Sequence, residues 1–265
     1  MGAIYEFGVR RNARVINARL RGTANAALAR TWRLFGRQFH KRPPISAYGV
    51  PMVANYSDKT FRYCLYGTYG KYLSDYLDAL DQPFAFLDIG ANQGLYSLVA
   101  ARNPQCRRIV AVEPVAPTFA LLEANLLLGG ASTRTAAVNA ALSDRCGEVA
   151  IAVKPNHSGV ASIAAHAARR GRPTQAIRLV DIAALDALLP PALPIYAKVD
   201  VEGHEAVVIA ELLRSKHAGR IKAVFHEMDE RWADAGEIRA LLEGAGFTRF
   251  RKFGIRRHYD VLAER

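Results

Sequence analysis

From residue 84 onward, apolar runs of strand length alternate with segments of helical period, and few folds accept that alternation. The runs are Phe84–Ile89, Ile109–Val112 and Ala136–Leu142, each of the first two followed by a helical stretch, Leu95–Ala101 and Thr118–Leu128. After an interruption come Ile195–Val201 with His204–Leu213, then Ile221–Phe225 with Ile238–Leu242. Strand and helix in alternation predict an α/β chain, a mostly parallel sheet with helices on both faces. The expectation is a Rossmann-like arrangement of seven strands. Phe247–Phe253 and His258–Leu262, joined by Gly254-Ile255-Arg256-Arg257, predict an antiparallel ending. The interruption at 144–181 reads as loop-rich, with Glu148–Val153 as an extra strand.

A sheet of that size needs a core, and 51% apolar residues over 265 positions supply one. Three scattered cysteines (Cys64, Cys106 and Cys146) make no disulfide framework and no C-x-x-C pair, so a reducing, cytoplasmic setting is expected. No run of eighteen apolar residues occurs, which excludes a transmembrane helix, and no secretory h-region is recognisable.

The net charge of +12 is uneven: residues 1–42 carry ten Lys/Arg against Glu6 alone, while the rest carries 26 basic and 23 acidic side chains. Residues 1–44 therefore read as a basic helical segment, ended by Pro43-Pro44, ahead of a domain at 45–265. Within that domain 84–265 is the core, and the tyrosine-rich 45–83 is a lead-in or substrate lid. Three readings of the basic segment compete: a helix lying on the inner face of a membrane, a helix packed on its own domain or on a second subunit, and a disordered arm. A nearly neutral body without a recognisable RNA-binding module argues against nucleic acid as partner.

The first strand runs into Asp88-Ile89-Gly90-Ala91-Asn92-Gln93-Gly94, and the second ends in Glu113-Pro114. In a doubly wound sheet ligands lie at the carboxyl ends of the strands, where glycines let backbone approach. A dinucleotide fingerprint needs a glycine where Asn92 stands, and the G-x-x-x-x-G-K-[ST] phosphate loop is absent. What remains is D-x-G-x-x-x-G with a downstream acid able to accept both ribose hydroxyls, the S-adenosylmethionine pattern. Asp88 would reach the methionine ammonium directly or through water. The competing reading is that Gly90 and Gly94 only turn a strand into a helix.

Ile195–Val201 then breaks the rule that a central parallel strand is apolar on both faces. Lys198, Asp200 and Glu202 alternate with valines, which places three charges on one side at the ligand edge, with His204 and Glu205 just beyond Gly203. Buried charges so close together must pair or do chemistry. Either they form an ion-pair cluster that holds a loop, or a general base with its orienting partners faces an acceptor hydroxyl. His204 or Lys198 would be the base, with Asp200 and Glu202 orienting it. Asp200 and Glu227, at adjacent strand ends, could alternatively hold a divalent metal such as magnesium. No N-P-P-[YF] or D-P-P-Y motif is present, which tilts the acceptor from nitrogen to oxygen.

These elements, with Asn139–Asp144, Leu185-Asp186-Ala187-Leu188 and Lys198-Val199-Asp200-Val201-Glu202-Gly203-His204-Glu205, resemble the FkbM family of S-adenosylmethionine-dependent methyltransferases over residues 84–250. The resemblance implies that Asp88, Gly90, Asn92, Gly94 and Glu113 bind the cofactor and that Ser143 and Asp144 lie near its adenine. It also implies O-methylation of a sugar, glycan or related metabolite. An RNA ribose 2′-O-methyltransferase and an inactive cofactor-binding scaffold are the alternatives. A homo-oligomer is compatible with all three.

Overall fold

The computed structural model describes residues 42–154, 156–160 and 173–265. The basic-segment readings therefore fall, apart from Arg42, outside the described residues. Two helices, α1 (Lys59–Tyr66) and α2 (Tyr72–Asp78), precede β1 (Phe84–Ile89), α3 (Leu95–Arg102), β2 (Cys106–Val112), α4 (Ala116–Leu128) and β3 (Thr135–Val138). After β3 come β4 (Ala141–Leu142), β5 (Gly147–Ala152), β6 (Thr174–Val180) and α5 (Ile182–Asp186). The chain closes with β7 (Ile195–Val199), α6 (Glu205–Arg214), β8 (Ile221–Asp229), α7 (Ala235–Gly244), β9 (Arg249–Phe253) and β10 (His258–Glu264).

Seven strands form the main sheet in the order β3-β2-β1-β7-β8-β10-β9. β10 alone runs against the others, antiparallel to both β8 and β9, as the two closing runs predict. β1 is buried at all six positions, as a central parallel strand must be. Its side chains divide with period two. Ala85, Leu87 and Ile89 join the core formed with α6 and α7 through Val208, Leu212, Ile238 and Leu242. Phe84 and Phe86 face the other way, toward Leu98 of α3, Leu122 of α4 and Phe61, Leu73 and Leu77 of the lead-in. The lead-in is thus built into the sheet's second face. Arg102 helps to hold it there, donating to the Tyr48 carbonyl and pairing with Asp78.

Two sequence expectations are corrected. Ala136–Leu142 is not one strand: it breaks after Val138, and β4 leaves the main sheet for a second sheet of order β4-β6-β5. The interruption is also less loop-rich than expected, because Thr174–Val180 forms the middle strand of that small sheet. Ile177, Leu179 and Ile151 bury its inner face, while Arg178 points outward. Among the described residues no helix is long and apolar enough to cross a membrane.

Candidate active site

The chain order reverses between β1 and β7, which pair in parallel at the centre of the sheet with Asp88 opposite Lys198. A crevice at such a reversal is the expected ligand position. A cleft with about 830 Å³ of empty space, its open mouth included, lies there. Its floor is Gly90, Asn92 and Glu113; its far end is Asp200, Glu202, His204 and Glu227; the small sheet supplies Leu142, Ile151 and Ile177 as an apolar wall.

Asn92 and Gly90 adopt left-handed backbone, with φ of 50° and 74°. A Cβ on Gly90 would lie 1.9 Å from the Asp200 carbonyl oxygen, so only glycine lets the loop pass the β7 strand end. Gly94 has a different task. It does not line the cleft, and a Cβ there would meet Leu122 at 2.6 Å, so its role is to seat α3 against α4.

Glu113 is buried, and burial pushes its carboxyl up to about 7. Two backbone N–H groups offset part of that push: Asn92 donates to Oε2 and Val115 to Oε1, both at 2.9 Å. Each oxygen retains a further lone pair, and the residue lines the cleft. Asn139 fastens the same corner by donating to the Glu113 and Pro114 carbonyls.

Asp88 lies beneath the floor rather than on the wall: it is fully buried and absent from the cleft lining. Ser97 donates to its Oδ2 at 2.7 Å, and Lys198 Nζ stands 3.7 Å from Oδ1, which has no hydrogen-bond partner. Lys198 is buried too, donating to the Gly90 carbonyl at 2.7 Å and facing Asp200 at 3.2 Å. Burial alone would lower its pKa, but Asp200 and Asp88 more than offset that and raise it. Its hydrogen bond to the Gly90 carbonyl makes Lys198 a tie between β7 and the glycine loop.

β7 ends at Val199, so Asp200 and Glu202 stand on a loop rather than on the strand. Glu202 has φ of 55°. Burial, followed by Asp200 and Glu227, pushes its carboxyl up to about 9. That shift favours the protonated form, which can donate a hydrogen bond. The donor oxygens of Asp200, Glu202 and Glu227 lie within 4.8 Å of one another. Glu205 takes no part in the cleft: its carboxylate accepts from Gly203 and Val201 N–H groups and shapes the turn into α6. His204 opens that helix and lines the cleft; burial lowers its pKa and keeps it neutral near pH 7. Its Nε2 sits 3.2 Å from the Ser143 hydroxyl, which also bonds Asp144. Neither Ser143 nor Asp144 lines the cleft, although their neighbours Ala140–Leu142 do.

Two residues of this region escape the sequence reading. β10 carries Asp260 opposite Glu227 and His258 opposite Asp229. Burial, then Asp200 and Glu227, push Asp260 up to about 7, and the His258 imidazole, 2.7 Å from Glu227, is raised to about 8. Only the register of an antiparallel strand brings them there, and their local sequence gives no signal of it.

A family model described as the methyltransferase FkbM domain matches residues 88–249, from Asp88 to the start of β9. The methyltransferase sdnD of Sordaria araneosa is 29% identical over 195 residues, spanning 62% of this chain and 73% of its own. Among solved structures, the precorrin-6y C5,15-methyltransferase of Geobacter metallireducens GS-15 aligns with a TM-score of 0.42 at 14% identity, covering 73% of this chain and 85% of its own. The METTL16 methyltransferase domain aligns at 0.49 and 11% identity, covering 82% and 74%. At TM-scores below 0.5 these two likenesses carry no argument about activity.

Proposed function

The chain belongs to the FkbM family of S-adenosylmethionine-dependent methyltransferases, and we propose that it methylates a hydroxyl of a sugar, glycan or related metabolite. The observation that carries this reading is the charge of the cleft. Among the described residues its carboxyl and imidazole lining is Glu113, Asp200, Glu202, Glu227 and His204, with Tyr69 as a phenol and no lysine or arginine. Such a lining suits a sulfonium cofactor and an uncharged, hydroxyl-bearing acceptor. Among the described residues it presents no lysine or arginine to a pyrophosphate or an RNA backbone, both of which call for cations. Glu113 would hold the ribose hydroxyls, and the Gly90–Asn92 backbone would lie along the cofactor.

When bound, the cofactor supplies a methyl group already activated by its positive sulfur. The protein's share is to hold the acceptor oxygen in line and to take its proton. Neutral His204 has a lone pair for that proton, and protonated Glu202 can donate a hydrogen bond to a neighbouring acceptor hydroxyl. A second reading rests on the closeness of Asp200, Glu202 and Glu227: three carboxylates so disposed could ligate a divalent cation that lowers the acceptor's pKa.

One assay addresses all of this: transfer of labelled methyl from S-adenosylmethionine to a panel of glycans, small polyols and RNA, with and without EDTA. Labelled glycan or polyol is the expected product, with His204→Ala slower by about 10²–10⁴. Label in RNA alone would overturn the acceptor class. Full activity in EDTA would remove the metal, and full activity of His204→Ala would remove the base.

A further inference from the structure

Asp58 is a buried carboxylate, 5% exposed, outside the matched family region and outside the cleft lining. Among the described residues no lysine, arginine or histidine forms an ion pair with it. A carboxylate without a cation needs several donors to tolerate burial. Asp58 has them from three separate parts of the chain. Phe61 N–H donates to Oδ1 at 2.9 Å, which makes Asp58 the N-cap of α1. Gln93 Nε2, from the glycine loop, donates to the same oxygen at 2.9 Å. Ser158 N–H donates to Oδ2 at 2.9 Å, and the Ser158 hydroxyl lies 3.1 Å from Oδ1.

That hydroxyl also lies 2.9 Å from Asn92 Oδ1, and its single proton is shared between the two acceptors. Gly159 N–H donates to Thr60 Oγ1, and Lys59 N–H to the Asn156 carbonyl, so the whole 156–159 turn rides on the start of α1. Thr60, Asn92, Ser158 and Gly159 all line the cleft. The turn is therefore one wall of the cofactor end, and Asp58 joins it to the loop that forms the floor. An N-cap alone needs one acceptor; the bonds to Gln93 and Ser158 exceed that need.

We infer that Asp58 is a positioning residue for the cofactor: it latches the 156–159 turn onto the glycine loop and so slows cofactor departure. This rests on the S-adenosylmethionine reading above. The residue acts through Gln93, Ser158 and Asn92 and touches no reacting atom.

The test separates latch from cap. Serine is a good N-cap but too short to reach Gln93 and Ser158 together, so Asp58→Ser keeps α1 and loses the latch. Stopped-flow release of S-adenosylmethionine from the full chain should quicken about tenfold in Asp58→Ser, the size expected for three lost charge-assisted bonds largely replaced by water. KM for the cofactor should rise in proportion, kcat should stay within about twofold, and Asp58→Asn, which keeps one acceptor oxygen, should recover part of the affinity. Unchanged release and KM in Asp58→Ser would overturn the latch, as would a fall in kcat alone. Failure of the unaltered protein to bind the cofactor would instead overturn the cofactor reading itself.

Discussion

The two ends of the cleft handle buried carboxylates in opposite ways. At the glycine-loop end a single acid, Glu113, is held by two backbone N–H groups whose positions the fold dictates. At the β7–β10 end Asp200, Glu202, Glu227 and Asp260 crowd around two cations, Lys198 and His258. Backbone donors cannot be titrated, so at the first end only Glu113 itself, pushed up to about 7 by burial, changes charge while its partners stay fixed. The second end keeps its protons in circulation: Glu202 is pushed up to about 9 and Asp260 to about 7 by burial and by their neighbours. A rigid end suits holding a cofactor, and a protonically loaded end suits receiving a proton from an acceptor.

The largest effect expected from that contrast comes from Lys198→Met. It strips Asp88 and Asp200 of their cation and releases the Gly90 carbonyl. Removing one partner of a buried pair costs about 3–5 kcal/mol, which chemical denaturation should show as a lowered midpoint. Adding Asp88→Asn should recover part of it. If Lys198→Met is as stable as the parent, the charged strand end is not held as described.

Next in size is Glu113→Gln. The amide keeps the shape but loses the charge that strengthens ribose hydrogen bonds, and its NH₂ faces either the Asn92 or the Val115 N–H. Calorimetry should give S-adenosylmethionine binding weaker by about ten- to a hundredfold, or about 1.5–3 kcal/mol. Unchanged affinity would mean that the rigid end does not grip the cofactor through this residue.

The smallest effect is a pH dependence of stability. His258 is raised from its ordinary 6.5 to about 8, chiefly by its bond to Glu227. A raised imidazole contributes stability that is complete below about 6.5 and lost as pH climbs through about 8. The ring is largely exposed, so solvent screening holds the contribution under about 1 kcal/mol. Melting curves between pH 6 and 9 for the parent and for His258→Ala should converge at the alkaline end. Parallel curves would break the pairing.

Legibility divides along the same line. The strand, turn and helix around Asp88–Gly94 stand in the sequence because five apolar residues in a six-residue run, two glycines and a helical period are local signals, and each maps onto β1, its turn and α3. Lys198, Asp200 and Glu202 also announce themselves, since charges at a central strand end have few explanations. What sequence does not disclose is where distant segments dock. Thr174–Val180 is a seven-residue alternation within a stretch otherwise read as loop. Asp260 and His258 depend on an antiparallel register, and the bond of Asp58 to Ser158 spans 100 residues.

The hydrogen bond from Lys198 to the Gly90 carbonyl joins residues 108 apart in the chain. Contacts of such separation carry a high loop-closure cost and form slowly, after local helices and hairpins are already in place. The sequence from β1 to β3 contains the whole glycine loop and its ties to Val112 and Glu113, yet the Gly90 carbonyl gains its lysine partner only when β7 slots beside β1. The far end of the cleft, with Asp200, Glu202 and Glu227, likewise exists only once β7 and β8 have joined β1, so the complete site is a late product of folding.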